Sequence, residues 1–366
     1  MIILPRPISP SFSQKRLSAA LIALLLFFFV GCASPPRRPL AARTGGAVQK
    51  PQIVGWKLLP KSVIAVTSEG AINSASIPNA NPERLSTICR ISADTLPIFS
   101  AATSSDGQLV AVSMRGVVRV VALSDCHLVA ETRLIDSRIG SLAFSPDSRS
   151  IIMGAFDGKV YRWRFLESGG FSENQHLLFE RYVGHGGVVS SVAFHPAGRV
   201  FFSSDWTGSL RAWLRYDQDD YKGRWDVVTG PGRFYTEVAV AVSAARFSEP
   251  IDSLVVSSQG DYLLTSTRDG SVQLWSIRGF LLRGQISAHD GQIRSIALSG
   301  SGELAATSGR DGFIRLWRIS SGENDGKQAE FSKIGEWYQP ENRYLAIDDQ
   351  GRIITIGDEQ VQVLNP

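Results

Sequence analysis

Residues 303–317 read ELAATSGRDGFIRLW, two alternating apolar runs joined at Asp311-Gly312. Asp-Gly ahead of alternating apolar residues predicts a β-hairpin whose two turn residues both take positive φ. The second run is one of four in which a glycine precedes a tryptophan by five positions: GKVYRW (158–163), GSLRAW (208–213), GSVQLW (270–275) and GFIRLW (312–317). Three of these glycines follow an aspartate, Asp157, Asp269 and Asp311, and the fourth follows Thr207. One supersecondary unit is therefore used repeatedly.

The same register finds degenerate copies. Gly70 opens GAINSA and Gly116 opens GVVRVV, both without the tryptophan, and Asp358-Glu359 stands in the turn position before VQVL. Seven units result, stepping by 46, 42, 50, 62, 42 and 47 residues. Upstream of most turns lies a second strand (QLVAVS, SIIMGA, DYLLTS, ELAATS, RIITIG), and before it a third (IGSLAFSPD, VSSVAFHPA, IRSIALSGS). With a connecting fourth strand, each unit is a four-stranded antiparallel sheet of the size expected for one blade of a radial array.

From about residue 52 to the end the chain resembles the WD-repeat β-propellers. The resemblance rests on His185 in VGHGG and His289 in SAHDG, on the FSPD and FHPA turns at Phe144 and Phe194, on Asp157, Asp269 and Asp311, and on Trp163, Trp213, Trp275 and Trp317. It implies an all-β, seven-bladed propeller of four-stranded antiparallel blades. It also implies that a His, a Ser or Thr, the turn Asp and the Trp form a hydrogen-bonded set within a blade. Only the unit with His289, Thr307 or Ser308, Asp311 and Trp317 offers the whole set, because the unit with His185 and Trp213 carries Thr207 where the Asp is expected. A buried imidazole or indole N–H must find a partner, so these residues read as structural.

The first residues set the expected location. Arg6, Lys15 and Arg16 precede LSAALIALLLFFFVG, a run of 15 residues, and no acid occurs before Glu69. The run is short for a membrane span and ends in FVGC, which resembles the lipobox of bacterial lipoproteins, with Phe29 where Leu is usual. Residues 1–31 are thus expected to be a lipoprotein signal peptide. Residues 32–51 follow as the lipidated Cys32 and a flexible basic tether, and 52–366 as the propeller. Ala33 after the cysteine favours the outer membrane, with the protein facing the periplasm. An uncleaved signal anchor and an ordinary secretory peptide are the competing readings. The signal carries three basic residues, which leaves 35 basic against 34 acidic in the remainder. A chain so nearly neutral has no stripe for nucleic acid.

Cys89 and Cys126 remain as an even pair in an oxidising compartment, either bonded or as two buried thiols. The five histidines show no paired spacing for a metal, and no cofactor is implied. Gly46 to Gln49 is the expected closing strand of the last blade, whose own sequence ends at VQVLNP. No G-x-S-x-G, phosphate loop or H-E-x-x-H occurs, so a non-catalytic protein is expected.

A binding surface is the stronger expectation. The residue two before each turn glycine projects from one face, near the central channel: Ser68, Met114, Phe156, Trp206, Arg268, Arg310 and Gly357. Phe156, Trp206, Arg268 and Arg310 are consecutive in that series and of the types enriched at interface hot spots. They suit a protein or peptide partner in the cell envelope, with an acidic group facing the arginines; the fold itself is expected to be monomeric. The alternative is a ligand-binding or sensory propeller that recognises a glycan or peptide. Between Trp213 and Trp275 the long step holds an inserted hairpin or a lengthened outer strand, and LESGGFSENQHL from residue 166 is a lesser insertion.

Overall fold

In the computed structural model, seven sheets stand around a common centre. The structure describes residues 52–78, 81–91, 97–133, 137–165, 179–214, 227–230, 233–238, 243–320, 328–340, 344–348, 351–357 and 359–365. Cys32, the expected signal peptide and tether, the strand proposed at Gly46 to Gln49 and the 166–177 loop lie outside them.

The innermost strands are Ile53–Leu58, Ser100–Thr103, Ile139–Phe144, Val189–Phe194, Ile251–Val256, Ile293–Leu298 and Tyr344–Ile347. Each begins an antiparallel meander that supplies four strands of its blade, or three in the last. Buried side chains fall into seven clusters, one at each junction between neighbouring blades. Trp163 packs against Phe165 and Phe179 at the junction of the second and third blades, and Trp317 at that of the fifth and sixth. The core is therefore seven thin sandwiches of alternating apolar residues, so no blade can bury its faces alone.

The hairpins correct one expectation. Gly158, Gly208, Gly270 and Gly312 have φ of 79°, 81°, 93° and 82°, but Asp157, Thr207, Asp269 and Asp311 do not take positive φ. The amide of each glycine donates to the carbonyl three residues back, as from Gly158 to Ala155. A turn of negative φ followed by one left-handed glycine is the next most common hairpin connection, and it needs only the glycine.

Ring closure uses a segment the sequence pattern did not mark. The outermost strand of the last blade, beside Gln360–Leu364, is Glu83–Arg84, where Gln360 pairs with Arg84 and Val361 with Glu83. Two residues later Ser86–Arg90 returns as the outer strand of the first blade. One stretch of chain thus serves both blades, and the hydroxyl of Tyr344 donates to the carbonyl of Ile53 across the same junction. Cys89 in that outer strand is joined by a disulfide to Cys126 of the second blade, with Cα atoms 5.9 Å apart.

The long insertion forms a hairpin, Val227–Gly230 and Arg233–Val238. It adds in parallel to Phe179–Val183 and widens the third sheet to six strands.

Candidate interaction surface

Hydrogen-bonded side chains hold each hairpin turn of the third to sixth blades from beneath, as a lock. In the sixth blade His289 Nδ1 lies 3.0 Å from Asp311, its Nε2 lies 2.8 Å from Thr307 Oγ1, and Trp317 Nε1 donates to the same hydroxyl at 3.0 Å. Of the two candidate hydroxyls, Thr307 makes these bonds. Arg315 closes the outer side, donating to Asp311 at 2.7 Å and to Glu336.

The fourth blade holds a second complete set, contrary to the sequence expectation. His185 Nδ1 lies 2.9 Å from Asp205 Oδ2, its Nε2 meets Ser203 Oγ, and Trp213 Nε1 donates to Ser203 Oγ at 2.7 Å. Asp205 stands two residues ahead of the position where the pattern sought it, and Thr207 donates to it. The strand register shows why the exchange works. Asp205 pairs with Val189 as Gly309 pairs with Ile293, so Asp205 and Gly309 are equivalent. A Cβ at Gly309 would meet both His289 Nδ1 and Asp311 Oδ1. The carboxylate thus occupies the same space from either of two positions, and the other position must then be small or a donor.

The fifth blade has no histidine in its set. Gln273 donates to Thr267 at 3.1 Å and accepts from Thr265, whose hydroxyl also accepts from Trp275 Nε1 at 3.2 Å. Asp269 accepts from Thr267 and from the amide and hydroxyl of Ser271. In the third blade Asp157 accepts from Tyr161 and Lys159.

The set in the fourth blade is closed to solvent. Ser203, His185 and Asp205 have the connectivity of a nucleophile, base and orienting carboxylate, but all three side chains are sealed, and the hydroxyl is taken by the indole N–H of Trp213. Burial pushes the His185 and His289 imidazoles below the usual range, outweighing their carboxylates. For Asp205, burial acts to raise the carboxyl. Bonds from His185, the Ser209 amide and Thr207 outweigh it and hold the carboxyl well below the ordinary range. In the fourth blade neutral imidazole completes a consistent chain: the indole donates to the hydroxyl, the hydroxyl to Nε2, and Nδ1–H to the carboxylate.

Above the locks, the turn residues are fixed to the inner strands. The amides of Ser68, Phe156, Trp206, Arg268 and Arg310 donate to the carbonyls of Gln52, Arg138, Val188, Pro250 and Gln292, at 2.7–3.0 Å. Each acceptor lies just before an inner strand, and in these blades the second residue of the strand region is a bulge that opposes no partner. A bulge re-aims a side chain out of the sheet. In the fifth blade it presents Asp252, which accepts from Arg268 at 2.8 Å and from Gln292 at 2.8 Å. In the third it is Gly140, and a Cβ there would strike the ring of Phe156.

Phe156, Trp206 and Arg268 form a continuous exposed arc. Phe156 and Trp206 meet edge to face with centroids 5.9 Å apart, and the Arg268 guanidinium lies 5.3 Å from the Trp206 ring. Trp206 is 43% exposed and the Arg268 side chain 45%. Arg310 is exposed beside Gln292, continuing the arc into the sixth blade. Met114 is buried, and Ser68 accepts the Gln52 amide, so the arc does not run through the first two blades at these positions.

Sequence reading missed Asp252, Gln292, Arg138 and Phe99, which lie just before or at the head of inner strands. It also missed Ser141, Ser191 and Ser295, whose hydroxyls accept the amides of Val192, Leu254 and Leu345 in the following blades. Their signal was present, since Ser141, Ser191, Ser253 and Ser295 recur at one position of the repeat.

Comparison with known proteins agrees with this geometry. Residues 132–164, 177–213, 243–276 and 281–318 match the family model "WD domain, G-beta repeat". The fold is a seven-bladed propeller, and four of its repeats match the WD repeat. The chain is 28% identical over 144 residues to Transducin beta-like protein 3 of Rattus norvegicus, and 28% identical over 142 residues to the Bos taurus protein of that name. These matches cover 39% and 38% of this chain, and only 14% of each relative's length. Among solved structures, a chain from "Crystal Structure of Mitotic Checkpoint Complex" superposes with a TM-score of 0.61 at 12% identity, covering 83% of this chain and 87% of that one. At that identity the likeness is one of fold. WD repeats generally build non-catalytic scaffolds for protein interaction. Among the described residues no group of His, Cys, Asp and Glu is placed to hold a metal, and no helix is long and apolar enough to cross a membrane.

Proposed function

We propose that this chain is a non-catalytic interaction module of the bacterial cell envelope. Lipid on Cys32 anchors it to the membrane, the outer one favoured, facing the periplasm, and it captures a protein or peptide on the arc of Phe156, Trp206, Arg268 and Arg310. The observation that carries the reading is the packing of that arc: two exposed aromatic rings and a guanidinium rest on one another above turns that are bonded to the inner strands. Aromatic and arginine side chains held in advance lose little entropy on binding, which is what a hot spot requires. The anchor is supported by the sequence FVGC closing an apolar run behind three basic residues.

Affinity capture from detergent-solubilised membranes, followed by mass spectrometry, tests both parts. Trp206→Ala with Arg268→Ala is expected to lose the partners that the wild type retains, with the thermal midpoint unchanged. Equal capture by the double variant overturns the arc. Cys32→Ala is expected to move the protein from the membrane to the soluble fraction, and a variant that stays with the membrane overturns the lipid anchor.

A further inference from the structure

Charge along the arc is unevenly compensated. Asp252 neutralises Arg268 and also holds the Gln292 amide. Arg138, at the head of the third blade's inner strand, is exposed and has no such partner. Its guanidinium lies 3.7 Å from the centroid of Phe99 and 4.8 Å from that of Phe156, and among the described residues it makes no ion pair or side-chain hydrogen bond. The two rings hold the planar group, and its N–H donors are left without acceptors. Phe156 carries the surface on to Trp206.

A guanidinium stacked on rings keeps its fork of donors in one orientation, and a carboxylate matches that fork with two parallel hydrogen bonds. The missing acceptor is thus a specific chemical gap. We infer that the partner presents an acidic side chain or chain terminus to Arg138, with an aromatic or aliphatic residue beside it on Phe156 and Trp206. The inference rests on the interaction-surface reading and names the partner's chemistry.

Phage-displayed random peptides panned on the full-length protein supply the probe. Enriched sequences are expected to pair Asp or Glu with a neighbouring apolar residue. A fluorescein-labelled copy of an enriched peptide should bind more weakly by about tenfold to Arg138→Gln and weaken as salt is raised. Changing the peptide's acid to its amide should cost a similar factor on wild type and little more on Arg138→Gln, since the two changes remove one contact. Enrichment of basic or uncharged peptides overturns the inference. Full binding by Arg138→Gln together with lost binding by Trp206→Ala overturns the carboxylate and leaves the surface standing. If neither variant changes binding, or no peptide is enriched, the surface reading falls as well.

Discussion

Asp205 and Trp206 are neighbours in the chain with opposite fates. The carboxylate of Asp205 is fully enclosed against His185, whereas Trp206 is 43% exposed on the arc. The same hairpin thus carries a lock on its inner side and a contact on its outer side, and the sixth blade repeats the division in Asp311 and Arg310. The difference teaches that the repeat pattern constrains the lock and leaves the residue beside it free to vary. Variants on the two sides should therefore separate stability from capture.

The largest effect is expected at Asp205. Asp205→Ala strips a buried imidazole, three amides and a hydroxyl of their acceptor, and removing one member of a buried polar set costs about 3–5 kcal/mol. Denaturant unfolding measures this, and a loss below about 1 kcal/mol would break the comparison at its first side. Asp205→Gly with Thr207→Asp copies the Gly309 and Asp311 arrangement and should recover most of the loss. Acid should act on the same lock. With its folded pKa lowered, His185 favours the native state most above its unfolded value of about 6.5, and that contribution fades as pH falls below it. Asp205, also lowered, holds its contribution until pH drops below about 4. Stability is therefore expected to decline on acidification from about pH 7 and more steeply below about pH 4, and a flat profile would contradict the neutral imidazole.

Next in size is the clasp around the first blade. Reducing Cys89–Cys126, or replacing both by serine, is expected to cost roughly 2–4 kcal/mol by freeing the denatured chain. Leu85→Pro removes the amide that donates to the carbonyl of Glu359 at 2.9 Å beside the two-residue strand, and should cost about 1–2 kcal/mol. Thermal unfolding with and without reductant reads both. An unchanged midpoint in Leu85→Pro would show that the last blade closes without Glu83–Arg84.

The seven blades were legible because the turn glycine and its alternating strand recur in one register, even where Trp is lost at Gly70 and Gly116. Closure was not legible: a two-residue strand has no periodicity, and pairing of residues 83–84 with 360–361 is a long-range choice. Asp205 escaped because a carboxylate can reach one point in space from two chain positions, whereas a pattern tests only one. The arc's exposed residues could be named from the turn offset. Arg138 and Phe99 could not, because they come from the heads of inner strands and meet the turn only through the fold.

The smallest stability effect belongs to the outer side, and it carries the sharpest test. Trp206→Ala removes an exposed ring that packs on Phe156 and Arg268 and makes no hydrogen bond to the lock. Its cost to folding should stay within about 0.5 kcal/mol, as for surface positions generally, while partner capture falls sharply because an exposed aromatic anchor contributes mainly on binding. Arg268→Ala differs in kind, since among the described residues it also leaves Asp252 with Gln292 alone as a side-chain donor. Trp206→Ala should thus weaken capture without altering salt dependence, and Arg268→Ala should alter both. If Trp206→Ala instead destabilises the fold as Asp205→Ala does, the ring is part of the lock, and the division between neighbouring residues fails at the hairpin where it is drawn most sharply.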